Sequence, residues 1–315
     1  MAIVEQRVET GEQIVPVIPQ RRRQPTRPGR VLRYATLIIL SILFVAPMAY
    51  MVTASFQPLE RMFQNPPQWI PTSPTLDNYI GFFSADRPIY RWFFNSVFVS
   101  TTITVTSLFF SSLVAYTFAK RKFPGRDLLF FMGLAVLMLP GEVLQIPNYL
   151  IMRFFPLLGG NDIHGIGGNG MLDSYWGLIL PSLGGGAFSI FLLRQYMKSA
   201  VPDELIDAAR VDGAGHFRIY WQVVMPLCRP VIAALAIFTF QIVWQDLYGP
   251  LILISSRQMY TLPLGLALFV QGNRTLWNLV MAGSVLATLP MVIVFLIFQK
   301  HFVKGISVSG SGVKG

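Results

Sequence analysis

Side chains able to hold a proton or to hydrogen-bond a polar solute are sparse in this 315-residue chain, and two groups of them interrupt long apolar runs. Glu142 and Gln145 lie between Pro140 and Pro147, and Asn148 follows at once. Gln241, Gln245 and Asp246 stand in a second apolar run. A carboxylate near the middle of a membrane costs on the order of 2.5–3.5 kcal/mol, so it rarely faces lipid. Two readings stay open. Either Glu142, Gln145, Asn148, Gln241, Gln245 and Asp246 line a polar pathway, or Glu142 and Asp246 are solvated near a membrane face. Amides in a dry pathway suit a solute rich in hydroxyls, because each hydroxyl needs a matched partner. A buried carboxylate would instead suit a proton carrier.

Other chemistry finds no residues to carry it. "GGNDIHGIGGNG" places Gly165, Gly167 and Gly170 as G-x-G-x-x-G. A dinucleotide site needs a strand before that pattern and a helix opening at its end. Here apolar runs flank it, so an external loop over 157–174 is expected. Asp162 and His164 offer two metal ligands without a third. The chain has no P-loop, no H-E-x-x-H and no Ser/His/Asp or Cys/His arrangement. Cys228 stands alone, which excludes an intrachain disulfide and a multi-thiolate site. The expectation is no catalytic residue, no metal and no cofactor held by this chain.

The elements that must position these residues are membrane helices. Hydrophobic residues make up 53% of the chain and charged residues 13%, about half the usual charged share of a soluble domain. Six runs, Tyr34–Ala54, Asn95–Ala119, Leu128–Ile151, Trp176–Leu193, Val231–Ile254 and Leu279–Phe298, approach the roughly 20 residues that span a bilayer. The prolines of the third run predict a kink. The formal charge of +10 could suggest nucleic acid, but its distribution suggests topology. With both termini in the cytoplasm, 19 Lys and Arg fall inside and six outside, the bias that orients membrane proteins. No nucleic-acid partner is expected.

Residues 1–30 lack an apolar core and are rich in Arg, Pro and Gln. They read as a disordered basic segment at anionic lipid rather than a cleavable signal. A six-helix domain over 31–300 and a cytoplasmic tail over 301–315 follow. Thr75–Phe83, after a proline-rich stretch, reads as a short amphipathic helix.

The cytoplasmic loop at 200–230 is polar and long, with four carboxylates between Val201 and Pro230. Pro202 suits the first position of a helix. Asp203 and Glu204 suit its first turn, where the helix dipole favours anions. Leu205, Ala208, Ala209 and Asp212 recur at i, i+3, i+4 and i+7, Asp207 can pair with Arg210, and Gly213 and Gly215 stop the helix. Phe217, Tyr220, Trp221 and Val224 repeat the spacing on a larger aromatic face that suits packing on the membrane core, with Pro226 closing. The slight first face, about 150 Å² and roughly 4 kcal/mol, suits reversible docking.

"PDELIDAARVDGAGHFRIYWQVVMPLCRP" resembles the EAA loop of ABC importer permeases. Asp207–Ala208–Ala209 match EAA with Asp for Glu, Gly213 matches the glycine, and Val223, Met225 and Pro226 fill the closing apolar-x-apolar-Pro. The resemblance runs over roughly Leu32 to Gly315. "TLDNYIGFF", "FLLRQYMKSAVPDEL", "LATLPMVIVFLIFQKHFVKGI" and "GVKG" are similar to the carbohydrate subfamily, on the side of its shorter maltose-permease-like subunit. "VWQDLYGPL" is a looser match, and "LMLPGEVLQIP" also resembles glycerol-phosphate permeases.

The resemblance implies an all-α membrane protein with the six-helix type I importer permease fold, in a bacterial or archaeal cytoplasmic (inner) membrane. It implies a second permease subunit, with the pair a heterodimer. Two ABC ATPase subunits and an extracytoplasmic solute-binding protein complete the set, and ATP and Mg sit on the ATPase. Glu204, Leu205, Asp207, Ala208, Ala209, Asp212, Gly213 and Phe217 would couple to the ATPase within the 202–226 helix-turn-helix, and Val313, Lys314 and Gly315 would contact it. The solute would be a sugar, polyol or oligosaccharide. An ABC permease for glycerol-3-phosphate, a phosphodiester or another non-sugar solute, and a proton-coupled secondary transporter, are the alternatives.

Overall fold

The computed structural model describes residues 27–66, 68–84, 87–270 and 275–310, with side chains described between 30 and 297. The chain divides into two compact units, 1–49 and 50–315. Most of the first apolar helix, α1 (Arg27–Ala54, with Pro47 inside), belongs to the first unit. The basic segment read over 1–30 falls almost wholly outside the described residues, as do Val313, Lys314 and Gly315 of the tail.

The second unit is built on α3 (Ile89–Lys120), 32 residues long and about 48 Å at 1.5 Å per residue. Its buried residues include a run of small ones, Ser96, Ser100, Thr104, Ser107, Ser111 and Ala115, alongside Trp92, Val99, Leu108 and Tyr116. Small residues let helices approach closely in a membrane. Thr104 Oγ1 donates to the Ser100 carbonyl at 2.7 Å, and Ser96 Oγ accepts from the Leu262 N–H at 2.7 Å. Here α7 (Ala187–Ala200) and α11 (Arg229–Trp244) pack against α3. Where α7 begins, the Gly186 N–H donates to Ser111 Oγ at 3.0 Å.

The two ends of α3 meet different loops. At its start, the Trp92 indole donates to the Arg257 carbonyl at 2.6 Å, and the Asn95 amide donates to the carbonyls of Gln258 and Tyr260 at 2.9 Å. At its finish, Lys120 donates to the Val201 carbonyl at 2.6 Å and to Asp203 at 2.7 Å. These loops therefore lie at opposite ends of the bundle, in agreement with the relative sidedness read from the charges. A short helix α2 (Asp77–Phe82) sits at the first end, where its Phe82 packs with Trp92, Trp244 and Phe269. α14 (Trp277–Gly310) crosses beside α11 with Pro290 inside it.

Among the described residues four helices are long and apolar enough to cross a membrane, and up to six spans result if each of two bent pairs counts as one. The third apolar run is one such pair. α4 (Arg126–Ala135) continues as a 3-10 turn to Met138, and a second arm, Gly141–Arg153, containing α5 (Gln145–Arg153), leaves at 99°. The break falls at Pro140. Pro147 is absorbed in the first turn of α5, where its absent N–H is no loss. The fourth run spans Tyr175–Ala200, opening as α6 (Tyr175–Ile179) and tightening into a 3-10 turn at Leu180–Gly184 around Pro181. The fifth run is not one helix. α11 stops at Trp244, three residues intervene, and α12 (Tyr248–Leu253) follows, with α13 (Leu262–Ala267) beyond. Asp246 makes this second start: its Oδ1 accepts from the N–H groups of Tyr248 and Gly249 at 3.1 and 3.2 Å.

Candidate functional site

At the basic end of the bundle, α8 (Asp203–Val211) is a short helix docked on the ends of the membrane helices. Pro202 precedes it with extended backbone (ψ 139°), so the proline is the N-cap, one place earlier than its propensity for the first helical position suggests. Asp203 in the first turn completes the pairing with Lys120, whose side chain is 5% exposed. The Lys120 ammonium beside Asp203 holds that carboxyl below the usual carboxylate range. Arg121 reaches the His216 ring from the same connection. Asp207 and Arg210 pair at 2.8 Å, as their spacing suggests.

The helix ends on a capping motif that needs a glycine. Gly213 has φ +76°, its N–H reaches the Arg210 carbonyl at 3.0 Å, and the Ala214 N–H reaches back to Ala209 at 2.9 Å. This is the Schellman pattern. A Cβ at Gly213 would meet nothing within 4 Å, so substitution acts through the backbone alone. Gly213→Val is expected to destabilise the cap by about 1–2 kcal/mol, read as faster amide hydrogen exchange over 203–213. Gly213→Asn, which tolerates left-handed backbone, is expected to keep most of the native protection.

The two faces of α8 differ from the face read off the spacing. Ile206, 2% exposed, buries against α3, α7 and the following helix, and Ala209 packs beside it. The outward side is Leu205, Ala208 and Val211, the last 88% exposed. Glu204, Asp207, Asp212, Gly213 and Phe217 are exposed as well. Thus Ala209 belongs to the inner face, and Ile206 and Val211 are residues that the i, i+3, i+4 template passed over. At roughly 100° per residue, 205, 208 and 211 share one side and 206 lies away from it.

The second helix also corrects its template. α9 (His216–Ile219) runs into a π-helical turn, Tyr220–Val224, then α10 (Met225–Leu227). The wider turn shifts the register, burying Ile219, Tyr220 and Val224 while Phe217 and Trp221 stay exposed. Tyr220 is held by a 2.7 Å hydrogen bond to Ser112 of α3. Pro226 does not close the helix. The chain bends by 80° after Leu227, before α11 opens with Pro230 in its first turn.

The six polar residues of the apolar runs fall into two sets. Glu142, on the 3-10 turn Gly141–Leu144, and Asn148 on α5 are exposed, and Gln145 is half-buried. Gln241 is on the exposed side of α11, and Gln245, at its C-cap, is exposed too. No hydrogen bond is recorded between the two sets among the described residues. Gln245 borders a cleft of about 280 Å³ with Ser284 and Thr288 of α14. Ser284 and Thr288, four apart in the last apolar run, are polar lining residues that charge and amide patterning did not single out. Asp246, half-buried, is committed to starting α12.

At the opposite end, the loop around 157–174 is closed by its own bonds. Asp162 Oδ1 accepts from the N–H groups of His164 and Ile166 at 2.8 and 2.9 Å, so this oxygen is spent on the backbone. Asp173 ties the loop to the segment after α12, accepting from the N–H groups of Ser255 and Ser256 at 3.0 and 2.8 Å and from the Ser256 hydroxyl. Burial alone would raise this carboxyl, but the serine hydrogen bonds outweigh it and hold it low. The glycine pattern follows no strand among the described residues.

A helical bundle with no strand among the described residues, with broken spans and an amphipathic helix at its basic end, is the architecture of an importer permease. The chain belongs to the family described as binding-protein-dependent transport system inner membrane component, whose model matches residues 78–308. It is a multi-pass inner-membrane permease of an ABC importer, a transport component and not an enzyme. It is 35% identical over 278 residues to the arabinooligosaccharides transport system permease protein of Halalkalibacterium halodurans, covering 88% of this chain and 93% of that one. It is 35% identical over 280 residues to the sn-glycerol-3-phosphate transport system permease protein of Yersinia enterocolitica, with 87% and 94% covered. In structure it is similar to a chain of a bacterial ABC transporter involved in the import of the acidic polysaccharide alginate, with TM-score 0.73, 23% identity, and 89% and 99% covered.

Proposed function

We propose that this permease forms half of the pathway of an ATP-driven importer for a sugar, polyol or oligosaccharide. A second permease subunit supplies the other half, two separate ATPase subunits bind ATP and Mg, and an external solute-binding protein delivers the solute. The basic end faces the cytoplasm, as do both termini. The carrying observation is α8: an acidic-start helix locked inward through Ile206 and Lys120–Asp203, with Leu205, Ala208 and Val211 uncovered. That division suits a lever that grips the permease on one side and docks into an ATPase on the other. The three-part division at 30 and 300 belongs to the same reading.

Sugar is favoured over an anionic solute because Gln145, Asn148, Gln241 and Gln245 are neutral hydrogen-bonding groups. The relative named for arabinooligosaccharides points the same way. The commitment of Asp246 to α12 removes one of the two carboxylates a proton carrier could use. Glycerol phosphate or a phosphodiester is the second reading, favoured by the relative named for that solute. Uptake by proteoliposomes of the assembled importer, supplied with loaded binding protein, separates them. Replacing Gln145, Asn148, Gln241 and Gln245 together by alanine is expected to lower uptake at least tenfold, each amide hydrogen bond contributing about 1 kcal/mol. Unchanged kinetics would place the pathway elsewhere.

A further inference from the structure

Between the α3–α4 connection and α8 lies an open, polar cavity of about 430 Å³. Lys120, Arg121, Lys122, Arg126 and Arg210 line it, against Asp203 and Asp207. A second cavity of about 380 Å³ adjoins it, shares Lys122 and Arg126, and adds Asp127 and Leu128. Lys120 is committed to Asp203, Arg121 to His216 and Arg210 to Asp207, while Arg126 shares the single carboxylate of Asp127 with Arg194 and keeps an excess of positive charge. Lys122 is exposed and makes no ion pair among the described residues. The basic excess is thus drawn into a concave site with a free ammonium at its rim.

We propose that this site binds the phosphate headgroup of an anionic phospholipid. The chemistry is that of an oxyanion, and the position selects a lipid as its source. Immediately after Arg126, α4 exposes Leu128, Phe131 and Met132 at i, i+3 and i+4, a face along which acyl chains can lie while the headgroup reaches Lys122 and Arg126. Basic clusters directly beside a span attract anionic leaflets in this way. The cavity lies on the Asp203, Ile206, Asp207 and Arg210 side of α8, turned by about 140° from Leu205, Ala208 and Val211. A lipid and a partner on the outer face can therefore bind together. The bound headgroup bridges the α3–α4 connection and α8 and so steadies the helix on which the proposed coupling rests. The lipid site itself does not depend on that coupling.

The test is lipid retention by the assembled importer purified from vesicles of phosphatidylglycerol and phosphatidylcholine, read by quantifying both lipids. The native complex is expected to enrich phosphatidylglycerol about tenfold over the bulk ratio. The double variant Lys122→Gln/Arg126→Gln is expected to lose most of that enrichment, and Lys122→Arg/Arg126→Lys to retain it. Native protein at the bulk ratio, or undiminished enrichment in the glutamine variant, overturns the proposal. Loss in the charge-conserving variant also overturns it, because the site would then not be read by charge. Competing sn-glycerol phosphate is expected to leave retention unchanged; displacement by it would identify a soluble phosphate as the ligand instead. Retention needs no transport, so this test can fail while the proposed function stands, and the reverse.

Discussion

Ala208→Arg is expected to reduce ATPase capture by the permease at least thirtyfold and to abolish the response of ATP hydrolysis to loaded binding protein. Ala208 is exposed on α8 between Leu205 and Val211. In the isolated permease an arginine there reaches solvent and changes stability by no more than about 0.5 kcal/mol. In a docked complex the same side chain overfills the contact, at about 1–3 kcal/mol. It also holds Leu205 and Val211 out of the partner's cleft, forfeiting part of the roughly 1.5–3 kcal/mol that each would gain on burial. The permease should insert, fold and resist proteolysis as before. Co-purification with the ATPase subunits, with hydrolysis measured on whatever remains, checks the expectation. Full capture and an intact response would show that the outward side of α8 is not the docking surface.

Ile206→Asn addresses the other side of the same helix and is expected to fail differently. Ile206 is 2% exposed and packs with Ile219, Tyr220 and Val224 beneath α8. Losing that apolar contact and burying an amide without a partner costs roughly 3 kcal/mol or more. The outward residues are untouched, so the ATPase should still bind, with capture within about threefold of native. Transmission to the spans should be lost, leaving hydrolysis that no longer depends on loaded binding protein, with uptake lowered tenfold or more. Ile206→Ala, which leaves no buried polar group, should give the same pattern in milder form. Equal loss of capture in both inner and outer variants would mean that α8 simply unfolds.

Much of this arrangement is legible in the residues. The six apolar runs, the basic bias and the acidic start of α8 each follow from a solvation requirement that sequence expresses directly. Gly213 is legible because a left-handed C-cap is a backbone demand. Which face of α8 turns inward is not, because Ile206 and Leu205 are adjacent apolar residues and only tertiary packing decides between them. The π-helical turn at Tyr220–Val224 shifts the register for the same reason, moving Phe217 and Trp221 outward although their spacing matches a buried stripe. The broken spans were half-visible. Pro140 marked a kink but not its 99° turn, while Pro147, equally prominent in sequence, sits harmlessly in a first turn. Asp246 stands out in sequence as a carboxylate in an apolar run, but its part in starting α12 is a local hydrogen-bonding role that only the structure shows.

The central claim, that the outward face of α8 meets an ATPase subunit, is tested most directly by crosslinking. Cys228, the single cysteine of the chain, is buried. Val211→Cys therefore adds one accessible thiol at a position that is 88% exposed. A short photoactivatable thiol reagent at this site, in the assembled importer in vesicles, should yield a permease–ATPase adduct. A thiol at Lys122, on the cavity side, should yield little. No adduct from position 211, in an importer that still transports, would contradict the account.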